Sequence, residues 1–274
     1  MDVPEVIDER LRPLAWTRIA LAIIVLLRTT PVLGWFDAGL ADATPLLGWP
    51  HGGFQVAAFG ATLPIGVVKV LCVVRTVGAV GFLLGWFTLP AGLVTGVAGY
   101  AVFLQDAYSF TFTQHLLFLG TAVLALTDCA TVLAVRPDRP RAPDSSRWLV
   151  QVFLVAIYFW AAFVKLRRDW IDGRTLGLFF DEGRLSGPLA RALMGTTERR
   201  AIAAPAVVAT ELSLVVLLLW PRTRWLGIAI AVVMHASIEW MAHPDVIGWA
   251  MCAFLLSFVP VAQGTQRASS TGQT

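Results

Sequence analysis

Long apolar runs separated by short polar stretches dominate the chain. We predict about eight membrane-spanning helices, at residues 14–33, 65–87, 89–104, 115–135, 148–166, 201–220, 226–241 and 248–262. Several of these runs are shorter than the roughly 20 residues that a perpendicular span needs, so tilted or re-entrant segments belong to the prediction. Pro90 marks the start of a new helix directly after the second run.

Composition supports this pattern. The chain is 57% hydrophobic and 14% charged, with a mean hydropathy of +0.71, whereas soluble domains carry about 25% charged residues. We therefore predict an all-α integral membrane bundle in lipid, one domain over residues 1–274 with a core at 14–262 and a disordered polar tail at 263–274. The net charge of +3 is too small to indicate nucleic acid. The three cysteines have no CxxC spacing, and we expect no metal.

The placement of arginines predicts the orientation in the cell membrane. Residues 35–54 and 105–114 contain no Lys or Arg. With an even number of spans, both termini lie in the cytoplasm, as do the short arginine-bearing loops (Arg136, Arg139, Arg141, Arg147, Arg222 and Arg224). The segment 167–200 is an exception: it is arginine-rich but assigned outside, and its acidic residues weaken the violation.

A lysine, Lys165, closes the fifth apolar run. An ionisable group at that place is costly unless it is functional or paired. Low dielectric favours the neutral amine, so this lysine is a candidate base. At helical spacing it shares a face with Tyr158, Ala162 and Asp169. The structural alternative is a lysine that snorkels to the membrane interface.

Two histidines and two glutamates complete the candidate polar residues. His235 and Glu239 stand four residues apart on one predicted helix, so we expect Glu239 to orient the imidazole, unless the pair only joins helices. Glu211 lies centrally in the sixth run and must be protonated or paired. His115 begins the fourth run, at the same predicted depth as Lys165. We expect the partner of Glu211 among the intramembrane cations Arg18, Arg28, Lys69 and Arg75, and we expect Arg18 and Arg28 to need carboxylates or ligand oxygens.

Residues 158–173 have the sequence YFWAAFVKLRRDWIDG. This phrase resembles the vitamin K-dependent gamma-carboxylase family, the horizontally transferred transmembrane (HTTM) domain, in its aromatic pair, small residues, Lys-Leu, Asp-Trp and final Gly. The resemblance implies that Lys165 is the catalytic base and that Asp169, Trp170 and Gly173 are its framework. The resemblance is weaker at three other places: Gln114-His115 resembles an Asn-His pair, His235 a later histidine and Arg18 an early arginine. Together with this phrase, these places cover about residues 14–262.

The resemblance also implies a chemistry. In the carboxylase, reduced vitamin K reacts with oxygen with the help of a deprotonated lysine. The strong base so formed removes a proton from a glutamate side chain, and the carbanion captures carbon dioxide. The carboxylase has a large soluble region after its membrane domain, whereas this chain ends about a dozen residues after its last predicted span. We therefore expect a short bacterial-type member with a different acceptor.

The favoured hypothesis is lysine-assisted, quinol-coupled proton abstraction, with carboxylation or oxygenation of an acceptor. The predicted catalytic residues are Lys165, His235 and His115, the cofactor is a reduced quinone, and the predicted substrate or quinol contacts are Tyr158, Trp160, Asp169, Glu211, Glu239 and Arg28. Whether the chain is an enzyme stays open at this point. The alternatives are a non-catalytic membrane factor that matures, or protects against, a secreted peptide, and proton-coupled transport, for which we find no inverted repeat.

Overall fold

A computed structural model describes residues 9–29, 63–104, 112–140, 142–242 and 247–260. Regular structure in these ranges is entirely helical, which confirms the predicted all-α class. The helices are α1 Arg12–Thr29, α2 Ile65–Leu84, α3 Thr88–Phe103, α4 Phe112–Ala125, α5 Pro143–Lys165, α6 Arg168–Ile171, α7 Arg174–Asp181, α8 Gly187–Met194, α9 Thr197–Leu219, α10 Arg224–Ala242 and α11 Ile247–Leu255, with 3₁₀ turns at Glu9–Leu11 and Leu256–Phe258. The predicted tail at 263–274 lies outside the described residues.

Each of the eight predicted runs contains one helix. Among the described residues, three helical segments are long and apolar enough to cross a membrane: Gly66–Leu84, Asp144–Lys165 and Thr197–Leu219. Shorter apolar helices cover Thr88–Val102, Leu116–Ala125 and Ile247–Phe258. The chain is therefore a helical membrane protein, and the number of eight spans stays a prediction.

One predicted helix end and one predicted loop were wrong. The fourth run was expected to be helical to residue 135, but α4 ends at Ala125. The hydroxyl of Thr127 donates to the carbonyl of Leu124, and that of Thr131 donates to the carbonyl of Asp128, so side chains satisfy carbonyl groups where the helix stops. The segment between the fifth and sixth runs, expected to be a loop, forms the short helices α6, α7 and α8.

The helices pack around α1 and α11. Helix α1 contacts α2, α4 and α11, while α5 packs on α9, α9 on α10 and α10 on α11. Leu14, Leu21, Phe118 and Phe254 fill the core between these helices. Apolar side chains also cover the outside, and Val77 is 67% exposed on α2. An apolar exterior of this kind suits lipid rather than water.

Arg18 of α1 is buried between the end of α2 and the turn after α4. Arg18 is fully buried, and its Nη2 donates to the carbonyl oxygen of Leu133 at 2.5 Å. We expected a carboxylate or a ligand oxygen as its partner. Its hydrogen bond goes to a backbone carbonyl, because the turn after α4 folds back toward α1, and the carboxylate of Asp138 in the same segment attracts it electrostatically. Gly85 ends α2 in the left-handed conformation (φ +67°), and a Cβ there would lie 2.1 Å from Arg18 Nη1.

Replacing Gly85 with alanine should therefore destabilise the protein by about 1–3 kcal/mol, because the left-handed conformation penalises a side chain and the added methyl group collides with Arg18. Thermal unfolding of the detergent-solubilised chain measures the change. Gly66→Ala is the matched control, since nothing lies within 4 Å of a Cβ at that position. Equal stability of the two variants would show that Arg18 and Gly85 are not tightly packed.

Candidate functional site

An ion pair joins the end of α5 to the middle of α9. The ammonium Nζ of Lys165 donates to Oε1 of Glu211 at 2.5 Å. The two side chains are 20% and 8% exposed. Helical side chains lean toward the N-terminus of their helix, which directs the side chain of Lys165 back along α5. Its pairing with a buried carboxylate favours the paired reading of Lys165, and the snorkelling reading stays an alternative.

The partner of Glu211 differs from the prediction. We expected Arg18, Arg28, Lys69 or Arg75, all on the first two helices, but Glu211 pairs with Lys165. The reason is packing, because α9 lies against α5 and α10. Arg75 instead lies over the ring of Phe118, at 5.8 Å.

The residues after Lys165 turn back over its amine. Helix α5 ends at Lys165, α6 begins at Arg168, and the ring centroid of Trp170 lies 5.5 Å from Nζ. Gly173 then adopts φ +82°, and a Cβ there would lie 2.6 Å from the backbone of Arg200. Only glycine fits this close approach without strain. The YFWAAFVKLRRDWIDG phrase is thus a helix end followed by a return turn that places an aromatic face beside the ammonium.

Helical spacing predicted that Asp169 shares a face with Lys165, but the two residues do not share one. The helix ends at Lys165, so that spacing no longer applies four residues later. The carboxylate of Asp169 is half exposed and lies 3.7 Å from Arg167, while its carbonyl oxygen accepts from the hydroxyl of Thr175. Asp169 therefore belongs to the return turn, and its assignment as a substrate or quinol contact has no geometric support.

A second buried polar contact lies between α5 and α10. The hydroxyl of Tyr158 and Nε2 of His235 share a hydrogen bond of 2.9 Å, and both residues are buried. Among the described residues, Nδ1 of His235 has no hydrogen-bond partner. Glu239 does not orient the imidazole as predicted: its Oε1 accepts from the backbone N–H of Gly248 at 3.0 Å. Tyr158 bonds the imidazole instead, because α5 supplies a hydroxyl directly opposite the ring.

These two contacts form one polar group. Lys165 is close enough to His235, and Glu211 to Tyr158, for electrostatic interaction. We call these four residues the Lys165 cluster. It lies between α5, α9 and α10. Within the described part of the chain, two of its buried atoms have no hydrogen-bond partner, namely Glu211 Oε2 and His235 Nδ1. Unpaired buried polar atoms of this kind are uncommon and mark a place where a ligand or water can bind.

Trp160 does not join the Lys165 cluster. Trp160 is 56% exposed and contacts Phe159 and Phe163, so it lies on the outer apolar face. Its role as a substrate or quinol contact stays a prediction. The side chains of His115, at the start of α4, and of Arg28, near the end of α1, lie outside the described residues.

Sequence reasoning missed both direct contacts of the Lys165 cluster. Lys165 and Glu211 were each identified, yet nothing in the spacing indicated that α5 packs on α9. Tyr158 and His235 were likewise identified separately. The aromatic contact of Trp170 with the amine was missed as well, although its position five residues after Lys165 in the quoted phrase was the signal available.

The fold and the site define a class: a helical membrane protein with an ionisable cluster enclosed between apolar helices. The HTTM domain matches residues 10–262, and the chain therefore belongs to the HTTM domain family. This match confirms the resemblance drawn from the sequence. Searches of curated proteins and of solved structures return no match.

A double-variant cycle tests how the ion pair contributes to stability. Lys165→Met and Glu211→Leu should each destabilise the protein by about 1–3 kcal/mol, because each leaves a buried charged partner unpaired. The double variant should be more stable than the sum of the two losses predicts, because no charge remains. Thermal unfolding in detergent measures the stability of the unmodified protein, the two single variants and the double variant. Additive losses would show that the two side chains do not interact.

Proposed function

We propose that this HTTM-domain protein catalyses quinol-coupled proton abstraction in the membrane, with Lys165 as the base, followed by carboxylation or oxygenation of an acceptor. The observation that supports this proposal best is the enclosed pair of Lys165 and Glu211, at the lysine that the family resemblance assigns as the base. Intramembrane ionisable groups are costly, so a paired amine beside a buried histidine indicates chemistry or transport.

The described residues of the Lys165 cluster fit a reduced quinone of the vitamin K type. Such a molecule has a flat apolar ring and two hydroxyl groups. Glu211 Oε2 can accept a hydrogen bond, and His235 Nδ1 can donate or accept one according to its tautomer. Reaction of the bound quinol with oxygen would supply the strong base needed for a weak carbon acid. Lys165 would hold or release a proton at Nζ, Tyr158 would fix the imidazole of His235, and the surrounding apolar helices would exclude water.

Orientation is part of the same proposal. Helix α5 has 23 residues and is therefore about 34 Å long, close to the thickness of a bilayer core. Arg147 lies near its first residues, and Lys165 is its last. If the arginine-bearing end is cytoplasmic, with both termini on that side of the cell membrane, Lys165 lies near the outer surface.

The segment after Lys165 supports a second candidate function, a non-catalytic factor that matures, or protects against, a secreted peptide. Helices α6, α7 and α8 display ion pairs on an exposed surface, Arg174 with Asp172 and Arg184 with Glu182. A peptide with mixed charges could bind such a surface without chemistry at Lys165. Function that survives loss of the lysine and fails when this surface is changed would favour the second candidate.

Lys165→Met should lower quinol oxidation by at least about 100-fold, since loss of a general base typically costs 10²–10⁴. The assay follows the oxygen-dependent loss of menadiol, and the products formed, in nanodiscs that contain the protein. Lys69→Met is the matched control, because Lys69 and Lys165 are the two lysines of the chain. Equal turnover by the two variants, or no turnover by the unmodified protein, would contradict the proposed activity.

A further inference from the structure

Glu211 is held by one hydrogen bond only among the described residues. Lys165 Nζ binds Oε1, whereas Oε2 is buried and has no partner in the described chain. The residue as a whole is 6% exposed. Carboxylates that stay ionised inside proteins usually accept two or three hydrogen bonds, because each bond replaces a lost water. The surroundings of Glu211 therefore give its charged form little support apart from Lys165.

Lys165 is enclosed on most sides but not on all. Glu211 lies on one side of the ammonium and the ring of Trp170 on another, and 20% of the side chain remains exposed. With Lys165 near the outer surface, as the proposed orientation has it, water reaches the ion pair through that exposed part. Water stabilises two separate charges far more than it stabilises a neutral amine beside a neutral carboxylic acid. Covering the exposed part with an apolar ring removes this stabilisation.

An ammonium that is paired to a carboxylate cannot act as a base. Its proton must first leave, and the nearest acceptor in the described structure is Glu211 Oε1, at 2.5 Å. Transfer over this distance needs no movement of the helices. The pair of Lys165 and Glu211 can therefore change from two charges to none by moving one proton.

We propose that Glu211 is the positioning residue that stores the proton of Lys165, and that an apolar quinol ring covering the amine drives this transfer. The inference rests on the proposed function and adds the regulation of the same site. The N–H bond of Lys165 breaks and an O–H bond forms at Glu211 Oε1, which leaves a neutral amine and a carboxylic acid. The amine lone pair then takes the proton of a quinol hydroxyl, so one proton passes from the quinol to the pair and nothing is oxidised.

The first arm of the test needs no ligand. The full chain in detergent is treated with acetic anhydride over a pH series, and acetylation of Lys165 and Lys69 is read by mass spectrometry. Because Glu211 holds the proton on the amine, Glu211→Gln should raise the acetylation rate of Lys165 at pH 7 by about 10-fold or more. Glu211→Asp, which keeps the charge, should stay close to the unmodified protein.

Two controls separate this effect from a general loss of structure. Glu198→Gln changes another carboxylate of α9, one that is exposed in the first turn of the helix, and it should leave the acetylation of Lys165 unchanged. Lys69 should react equally in all proteins. An unchanged acetylation rate of Lys165 in Glu211→Gln would overturn the inference, whatever the quinol assay shows.

The second arm adds menadiol without oxygen and records the infrared difference spectrum. The carbonyl band of a protonated carboxylic acid should appear in the unmodified protein and in Glu198→Gln, and it should be absent in Glu211→Gln. Menadiol binding is measured in parallel by quenching of tryptophan fluorescence. Binding without the band would overturn the inference, and the proposed function would stand if Lys165→Met still lost turnover. Absence of binding would overturn both.

Discussion

An ion pair between two apolar helices is the constraint on which the site depends. Lys165 ends α5 and Glu211 lies in the middle of α9, so their contact fixes how far one helix slides along the other. Attraction between charges is strong in a medium of low dielectric, but removing the charges from water is costly as well. The pair is therefore stable only while its geometry is kept. Next to this pair, Tyr158 of α5 lies opposite His235 of α10.

Much of the fold could be predicted from the sequence because lipid imposes a simple rule. Each helix needs a long apolar run, and each of the eight runs contains a helix. The ends were less predictable. Helix α4 stops at Ala125 although the sequence stays apolar, and the hydroxyls of Thr127 and Thr131 bond backbone carbonyl groups in the turn that follows. Short helices such as α7 have too few residues for a periodic signal.

The identity of the site residues was easier to predict than their partners. Lys165, Glu211 and His235 stand out because charged and polar groups are rare in apolar runs. Their partners depend on which helices pack together, and hydropathy carries little information about that in a membrane protein, where lipid-facing and buried positions are both apolar. Aromatic residues likewise occur at both buried and lipid-facing positions. Tyr158 is buried and Trp160 is exposed, two residues apart on one helix.

The return turn bears on the reactivity that we propose for this costly ion pair. Gly173 allows the chain to approach Arg200 closely, and this turn holds Trp170 beside the amine. An aromatic face stabilises an ammonium without donating or accepting a proton. Trp170 therefore stabilises the charge of Lys165 and does not compete with Glu211 as a proton acceptor. In the proposed function, Glu211 is left as the partner that takes the proton. The exposed part of Lys165 would then be the side from which an apolar ligand alters the balance between the charged and the neutral pair.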